Sequence, residues 1–412
     1  MSENKFYYNH DGQQTIENWS VCDSNNTKIQ TIVDQCKKNQ FLYKFISAND
    51  AGSTGSHQSG IYLPNSSWPF YFDSPGVKGK NKEKFVTILW EAEDIETKNR
   101  FIWYGEKTRR EYRLTRFGRG FPYLKDQFIG SLIVIVKIDN EEFRGWILDS
   151  DNEIENFLAR FNISHLDRGG ICSPDEEKAE SEVKTYDREQ CFTDYIQSLE
   201  NDFPDTTRLA EVARTICAME KQPQSVDEKL IHWLDAEYQL FRMIENKLYD
   251  PFIKTGNHTL EEILAFSGSV LNRRKSRAGK SLEHHLAAIF DEQNLSYSHG
   301  EITEGHSRPD FIFPGISHYR DIGFAKDRLV FLGSKTTCKD RWRQILTEAK
   351  RVERKYLFTL QQGISSNQLD EMEREKVTLV IPQQNMNSFP ESRRPRLMTL
   401  NSFIQLVRKT TE

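Results

Sequence analysis

Four apolar residues in succession, Leu329-Val330-Phe331-Leu332, stand between Arg328 and Gly333. A run of that length with such boundaries predicts a strand covered on both faces. The hydrophobic pattern on either side of it divides the chain into two halves of different character. In the first half, short apolar or alternating runs predict strands at Phe41–Ser47, Gly60–Leu63, Phe85–Trp90, Arg100–Tyr104, Glu111–Arg116, Leu132–Lys137 and Phe143–Leu148. Clusters of Gly, Pro, Asn and Asp separate them, and the pattern predicts no helix between them. Such spacing is that of a β-barrel or sandwich. Upstream, residues 1–36 are polar and rich in Asn and Gln, with weak structural signals.

In the second half the period becomes helical. Leu230, Trp233, Leu234, Tyr238 and Phe241 form an apolar stripe that predicts a helix over Ser225–Lys247. Leu282, His285, Leu286, Ile289 and Phe290 predict another after Ser281. Strands and helices then alternate: strands at Phe311–Phe313, Leu329–Leu332, Tyr356–Leu360 and Val377–Ile381, and helices at Trp342–Val352 and Leu400–Val407. This half reads as α/β, a central sheet covered by helices. Between the halves, Asp175, Glu176, Glu177, Glu180, Glu182, Asp187 and Glu189 crowd a stretch poor in apolar residues. It reads as a solvated linker or a charged surface helix. The expected division is 1–172, an acidic linker 173–190, and 191–412.

The length of 412 residues allows two cores of ordinary size. A net charge of -5 excludes a uniformly basic nucleic-acid-coating protein but not local basic patches. No apolar run approaches a membrane span, and Met1-Ser2-Glu3-Asn4-Lys5 does not begin a signal peptide. The six cysteines share no CxxC spacing, so reduced thiols in a cytoplasmic protein are the expectation.

The candidate chemistry lies where apolar runs end. Asp310 precedes one predicted strand, Lys335 closes another, and Glu348 falls on the predicted helix beyond. Glu283 lies beside the apolar stripe of an upstream helix. Carboxylates with one lysine suit metal-assisted phosphodiester hydrolysis: hard oxygens hold Mg²⁺, and lysine orients water or neutralises the phosphorane. The plainer alternatives are a turn aspartate, a strand-end lysine paired with Asp310, and a solvated Glu348 paired with Lys350 or Arg351.

Three blocks in order, Arg273-Arg274-Lys275-Ser276-Arg277-Ala278-Gly279-Lys280-Ser281-Leu282-Glu283, Arg308-Pro309-Asp310-Phe311 and Ser334-Lys335-Thr336-Thr337-Cys338-Lys339-Asp340-Arg341-Trp342-Arg343-Gln344, resemble the EcoRII-type restriction endonucleases. That group belongs to the PD-(D/E)xK nucleases, in the branch whose last carboxylate has migrated to the next helix. The resemblance implies Asp310, Lys335 and Glu348 as catalytic residues, with Glu283 in support and Asp310 and Glu348 on the metal. It assigns Lys339, Asp340 and Arg341 to base readout. The physics agrees, since Arg and Lys donate to guanine and Asp accepts from the cytosine amino group. Asp340 also sits where a helix N-cap belongs. Arg273, Arg274, Lys275 and Arg277 are expected to contact phosphates. Where family members flip a base pair, an arginine precedes an aromatic residue by one turn. Here Tyr238 matches the aromatic, Leu234 replaces the arginine, and Trp233 is the nearby alternative for a base-flip pocket.

Phe45–Pro64 and Lys107–Gly120 resemble the N-terminal effector domain of the same enzymes, a DNA-binding pseudobarrel. Lys107, Arg109, Arg110, Arg113, Arg116 and Arg119 cluster around a single acid, Glu111. Clusters of this kind neutralise phosphates, although many are only solvated faces. Lys44, Asn49, Asp50, His57 and Tyr62 join them as candidate effector-site residues. The fold expectation is therefore an α+β chain of two domains, a barrel-like DNA-binding domain and an α/β restriction-endonuclease-like domain. The functional expectation is a type II, two-site (type IIE) Mg²⁺-dependent deoxyribonuclease leaving 5′-phosphates. Its partners would be two copies of a CCWGG-like duplex and a second subunit, because one site cuts one strand and a near-palindrome calls for two-fold symmetry. CCNGG or CCGG specificity, or a DNA-binding protein that has lost cleavage, are the alternatives.

Overall fold

The computed structural model describes residues 19–53, 60–91, 94–106, 109–174, 188–199 and 203–411. His57, Lys107 and most of the acidic stretch lie outside the described residues.

The first half forms an eight-stranded barrel-like sheet in the order β2-β5-β4-β3-β7-β6-β1-β8. Its strands are β1 (Phe41–Phe45), β2 (Ile61–Leu63), β3 (Lys82–Trp90), β4 (Ile95–Tyr104), β5 (Glu111–Thr115), β6 (Leu132–Lys137), β7 (Glu142–Leu148) and β8 (Gly169–Cys172). Cover on both faces explains why β1 and β6 are apolar except for Lys44 and the terminal Lys137. Leu42, Ile133 and Ile135 point inward to Phe70, Trp90, Phe101 and Phe143. Phe41, Tyr43, Leu132, Val134 and Val136 point outward and are covered by two helices. These are α1 (Trp19–Lys38) and α2 (Asp151–Arg160). α1 arises in the stretch with the weakest sequence signals, and its Ile29, Ile32, Val33 and Cys36 supply an i, i+3, i+4, i+7 stripe. α2 opens with a capping box in which Ser150 and Glu153 satisfy each other's backbone N–H.

The second half contains α3 (Arg188–Ser198), α4 (Thr206–Cys217), α5 (Val226–Thr255), α6 (Leu260–Glu292), β9 (Ser298–His299), β10 (Phe311–Phe313), α7 (Ile316–Arg320), β11 (Val330–Lys335), β12 (Lys355–Thr359), α8 (Ser366–Arg374), β13 (Val377–Val380) and α9 (Leu400–Thr411). The sheet order is β13-β12-β11-β10-β9. β11, β12 and β13 run parallel, while β10 is antiparallel to both its neighbours. One face, with Phe311, Phe313, Val330, Leu332 and Phe358, packs on the helical layer of α3 to α6 and α9. The other, with Ile312, Phe331, Leu357 and Leu379, packs on Trp342, Ile345 and α8. The central strand is thus covered on both faces, as its composition requires.

Two expectations change. The helix expected after Ser281 begins at Leu260, so the whole Arg273–Glu283 block is helical. The helix expected over Trp342–Val352 is instead a 3₁₀ segment, Arg341–Thr347, after which Glu348 is extended and Ala349 has a φ of 44°. The apolar spacing still does its work, since Trp342, Ile345, Ala349 and Val352 are buried. Close approach is why the backbone departs from an α-helix. A Cβ at Gly333 would meet the Ile345 side chain at 2.9 Å, so the segment lies directly on β11. The Lys355 ammonium then takes the carbonyls of Glu348, Ala349 (3.1 Å) and Val352 (3.2 Å), acceptors that a continuing helix would use itself.

Candidate active site and DNA-facing surface

Antiparallel pairing of Phe311 with Leu332 sets Asp310 beside the end of β11. The Asp310 Oδ2 accepts the Ser334 backbone N–H at 2.6 Å and its hydroxyl at 3.1 Å, and lies 3.9 Å from the Lys335 Nζ. Burial raises the Asp310 carboxyl above its ordinary range; Lys335 opposes the shift and Glu283 adds to it. Glu348 is pushed up to about 7 by burial and by the Asp310 charge, against the pull of Lys335 and Lys355. The structure therefore brings Asp310, Lys335, Glu348 and Glu283 into one electrostatic cluster, although they come from a strand entrance, a strand exit, an extended segment and a helix. Glu348 does not pair with Arg351, whose guanidinium is spent on the carbonyls of Tyr319, Asp321 and Phe324.

Three supporting residues were not anticipated. Ser334 fixes Asp310, Lys355 fixes the Glu348 backbone, and His299 Nε2 lies 3.2 Å from Glu283. Hydrogen bonding to Glu283 raises the His299 pKa. Lys355 alone left a trace in the sequence, as a lysine opening an otherwise apolar strand.

The segment expected to read bases is covered by α2 of the first half. Asp151 accepts the backbone N–H of Lys339 (3.0 Å), Asp340 (2.9 Å) and Arg341 (3.0 Å). Asp340 itself makes no side-chain cap bond. Burial disfavours the Asp151 charge, yet the Asp340 side chain and these N–H groups together hold its carboxyl below the usual range. Asp340 is pushed up to about 6 by burial and by Asp151. The Lys339 Nζ donates to Asp149 and to Ser131 Oγ, and the Arg341 guanidinium to Glu155.

The expected phosphate contacts are likewise engaged. Arg273 bonds the Tyr249 hydroxyl and lies over the Phe203 ring. Arg274 holds Glu245 (2.9 Å) and the Ala159 carbonyl (2.9 Å), and Lys275 holds Asn156. Arg277 is buried over the rings of Tyr238 and Phe241, 3.7 Å from Glu237. The Tyr238 hydroxyl donates to the Asn162 carbonyl. Trp233 lies elsewhere, against His285, Arg214 and Lys229.

Of the expected effector-site residues, Lys44 and Asp50 form a buried pair at 2.6 Å. Asp50 also accepts the backbone N–H of Ser47 (3.0 Å) and Tyr62 (2.8 Å). Glu111 holds Arg113 at 3.0 Å, Arg110 donates to the Gly105 carbonyl at 2.8 Å, Arg109 lies over Tyr104 and Arg116 over Phe85. Arg119 is exposed. A cavity of about 790 Å³ opens beside Lys44, Asn49 and Tyr62, walled on its far side by Gln362, Asn387 and Arg394 of the second half.

Comparison with known proteins accounts for both halves. Residues 36–165 match the family model described as restriction endonuclease EcoRII, N-terminal, and residues 241–404 that described as EcoRII C terminal. The chain is 34% identical over 385 residues to the type II restriction enzyme EcoRII of Escherichia coli, covering 89% of this chain and 94% of that enzyme. Among solved structures it resembles a PspGI–substrate DNA complex, with 12% identity, TM-score 0.43, and coverage of 51% of this chain and 93% of that one. It also resembles metal-depleted Ecl18kI in complex with uncleaved DNA, with 18% identity, TM-score 0.41, and coverage of 54% and 84%. A barrel-like sheet joined to an α/β unit that bears this carboxylate–lysine cluster defines a site-specific DNA nuclease, a hydrolase. The chain belongs to the EcoRII family of type II restriction enzymes.

Proposed function

We propose that the protein hydrolyses both strands of DNA at a short, near-palindromic CC…GG site of CCWGG type, as a Mg²⁺-dependent homodimer. The first half, residues 1–172, would hold a second copy of the site as effector. Residues 191–412 would cut, with 173–190 as linker. The observation that carries the proposal is the convergence of Asp310, Lys335 and Glu348, with Lys335 3.9 Å from Asp310 and Glu348 sensing both charges.

The donor set fits a small hard cation. Asp310 and Glu348 are carboxylates whose acidity is already weakened by burial and acidic neighbours, a crowding that a divalent ion relieves. Mg²⁺ bound by these two residues would supply Lewis-acid stabilisation of the phosphate charge. The protein supplies the rest. The Ser334 N–H keeps Asp310 oriented, Lys355 holds the Glu348 backbone, and the Lys335 ammonium positions the attacking water and offsets charge on phosphorus. Water adds, the bond to the 3′ oxygen breaks, and a 5′-phosphate remains.

Digesting plasmids of known sequence with and without Mg²⁺, then sequencing the ends, tests this reading. Ends at CCWGG support it; ends at CCNGG or CCGG transfer the machinery to another target. Tight binding with no nicking in Mg²⁺ would leave a DNA-binding protein without cleavage.

A further inference from the structure

A second cluster of donors lies where α3, α4 and α5 meet. Cys217 ends α4, and Glu220 follows it in the turn that leads to α5. His232 stands in the first turns of α5. The Cys217 sulfur, a Glu220 carboxylate oxygen and a His232 ring nitrogen all lie within 4.8 Å of one another. Among the described residues no other set of three His, Cys, Asp or Glu donors meets so closely.

Local structure fixes these donors. The Gln222 side chain donates to the carbonyls of Cys217 (3.1 Å), Ala218 (3.2 Å) and Glu220 (3.1 Å), which closes the corner after α4. His232 Nε2 lies 2.7 Å from Glu220 Oε2. The Arg188 guanidinium, from the start of α3, binds the two Glu220 oxygens at 2.6 and 2.5 Å. One of its terminal nitrogens is 3.5 and 3.4 Å from the two ring nitrogens of His232, so it sits over the ring face rather than in line with either. Arg188 and Glu220 by themselves are an ordinary ion pair. That pair does not account for a thiol and an imidazole at the same point. The Cys217 sulfur is buried, 4.0 Å from the His232 carbonyl, while the side chains of Glu220 and His232 are 14% and 25% exposed. An ion can therefore reach the sulfur from solvent past the other two.

We propose that Cys217, Glu220 and His232 form a zinc site, separate from the catalytic carboxylates. Zinc takes sulfur, nitrogen and carboxylate oxygen together. Mg²⁺ is a hard ion that keeps to oxygen, so the two sites would sort the two metals. On binding, zinc would replace the hydrogen bond between His232 and Glu220. The Cys217 thiol proton leaves to solvent, and the imidazole stays neutral with its proton on Nδ1. Burial opposes the Glu220 charge, but Arg188 and His232 hold its carboxyl below the usual range, so it is ready to bind. Arg188 would keep the other Glu220 oxygen and so orient the ligand. Asp235, one turn beyond His232 and 3.6 Å from Arg188, would accept from a water in the fourth position. The ion would clip the corner after α4 to α5 and, through Arg188, to α3.

Dialysis of the full chain against zinc in excess Mg²⁺ tests this, with Co²⁺ as the spectroscopic substitute. Wild type should retain zinc, melt at a higher temperature with it, and show a thiolate-to-cobalt charge-transfer band with Co²⁺. Cys217→Ser and His232→Gln should each lose the retained zinc, the band and the thermal shift while keeping the wild-type circular dichroism. If Cys217→Ser does not fold, His232→Gln, altered at a partly exposed side chain, decides. Retention without the band, or equal retention in a folded variant, would put the ion elsewhere and overturn the site. No retention by wild type would reduce the cluster to its ion pair and overturn it as well.

Discussion

Asp151 accepts the backbone N–H of Arg341 at 3.0 Å across 190 residues of sequence. With Lys339 and Asp340 bound by the same carboxylate, Asp151 caps the start of a segment in the other half of the chain. One turn along α2, Glu155 holds the Arg341 guanidinium and the hydroxyls of Thr336 (3.2 Å) and Thr337 (3.1 Å). Acids of α2 thus occupy the donors proposed to read DNA, and on that reading base edges and α2 would compete for one surface.

Replacing both Asp151 and Glu155 by alanine should release that surface. Cleavage of a plasmid with a single site should rise about 5- to 150-fold, the range of a coupling of about 1–3 kcal/mol. Thermal stability should fall, because the Lys339, Asp340 and Arg341 amides lose their acceptor. Initial rates on one-site and two-site plasmids check this. An unchanged one-site rate in a folded variant would mean that α2 does not restrain the nuclease.

Lys335→Ala should remove cleavage by about 10³-fold or more, by analogy with losing a charge-stabilising donor. Binding of the site duplex should stay within a few-fold, because Lys335 is proposed to act at the scissile phosphate rather than in base readout. Gel-shift titration beside single-turnover cleavage separates the two effects. Full cutting by the variant would take Lys335 out of the mechanism.

The sequence shows most of the sheet framework, because alternation along β1, β6 and β11 follows directly from what covers each face. It does not show α1, whose burying residues Ile29, Ile32 and Val33 sit among Asn, Gln and Asp. Nor does it show the 3₁₀ segment at Arg341–Thr347. Apolar residues at positions 342, 345, 349 and 352 fit an α-helix equally well, and only the close approach to Gly333 decides between them. Asp310 and Lys335 were legible as chemistry at strand ends. Ser334 and His299 were not, since each matters through a partner on another element, and Lys355 left only the trace of a lysine opening an apolar strand. The covering of Lys339–Arg341 by α2 was illegible for the same reason.

Asp50→Ala should destabilise the first half. Lys44 lies within β1 with its ammonium buried, and Asp50 is its counter-charge at 2.6 Å. Removing one member of such a pair costs about 3–5 kcal/mol, because the other is left buried and uncompensated. Asp50 also ties Ser47 and Tyr62, so the loop beside the 790 Å³ cavity should loosen with it. Denaturant unfolding followed by tryptophan fluorescence measures the loss. A change below about 1 kcal/mol would show that water reaches Lys44.

His165 should give the interface between the halves a pH dependence. Its ring lines a crevice with Glu155, Tyr238, Arg274 and Arg277, and its Nε2 is shielded without a hydrogen-bond partner. Burial lowers its pKa from 6.5 to about 4; Glu155 opposes the shift, and Arg277 and Arg341 add to it. The closed form thus binds fewer protons than an opened or unfolded form between pH 6.5 and 4. Its contribution to stability is complete above 6.5 and is lost as pH falls through 4. Asp340 acts in the opposite sense: held at about 6, it favours the closed form at low pH and loses that contribution as pH rises through 6. The two partly cancel, so a difference measurement is required. Urea midpoints at pH 7, 6 and 5 should fall more steeply for wild type than for His165→Asn, whose side chain takes up no proton. Parallel profiles would mean that His165 is already in contact with water and that the crevice does not sense pH.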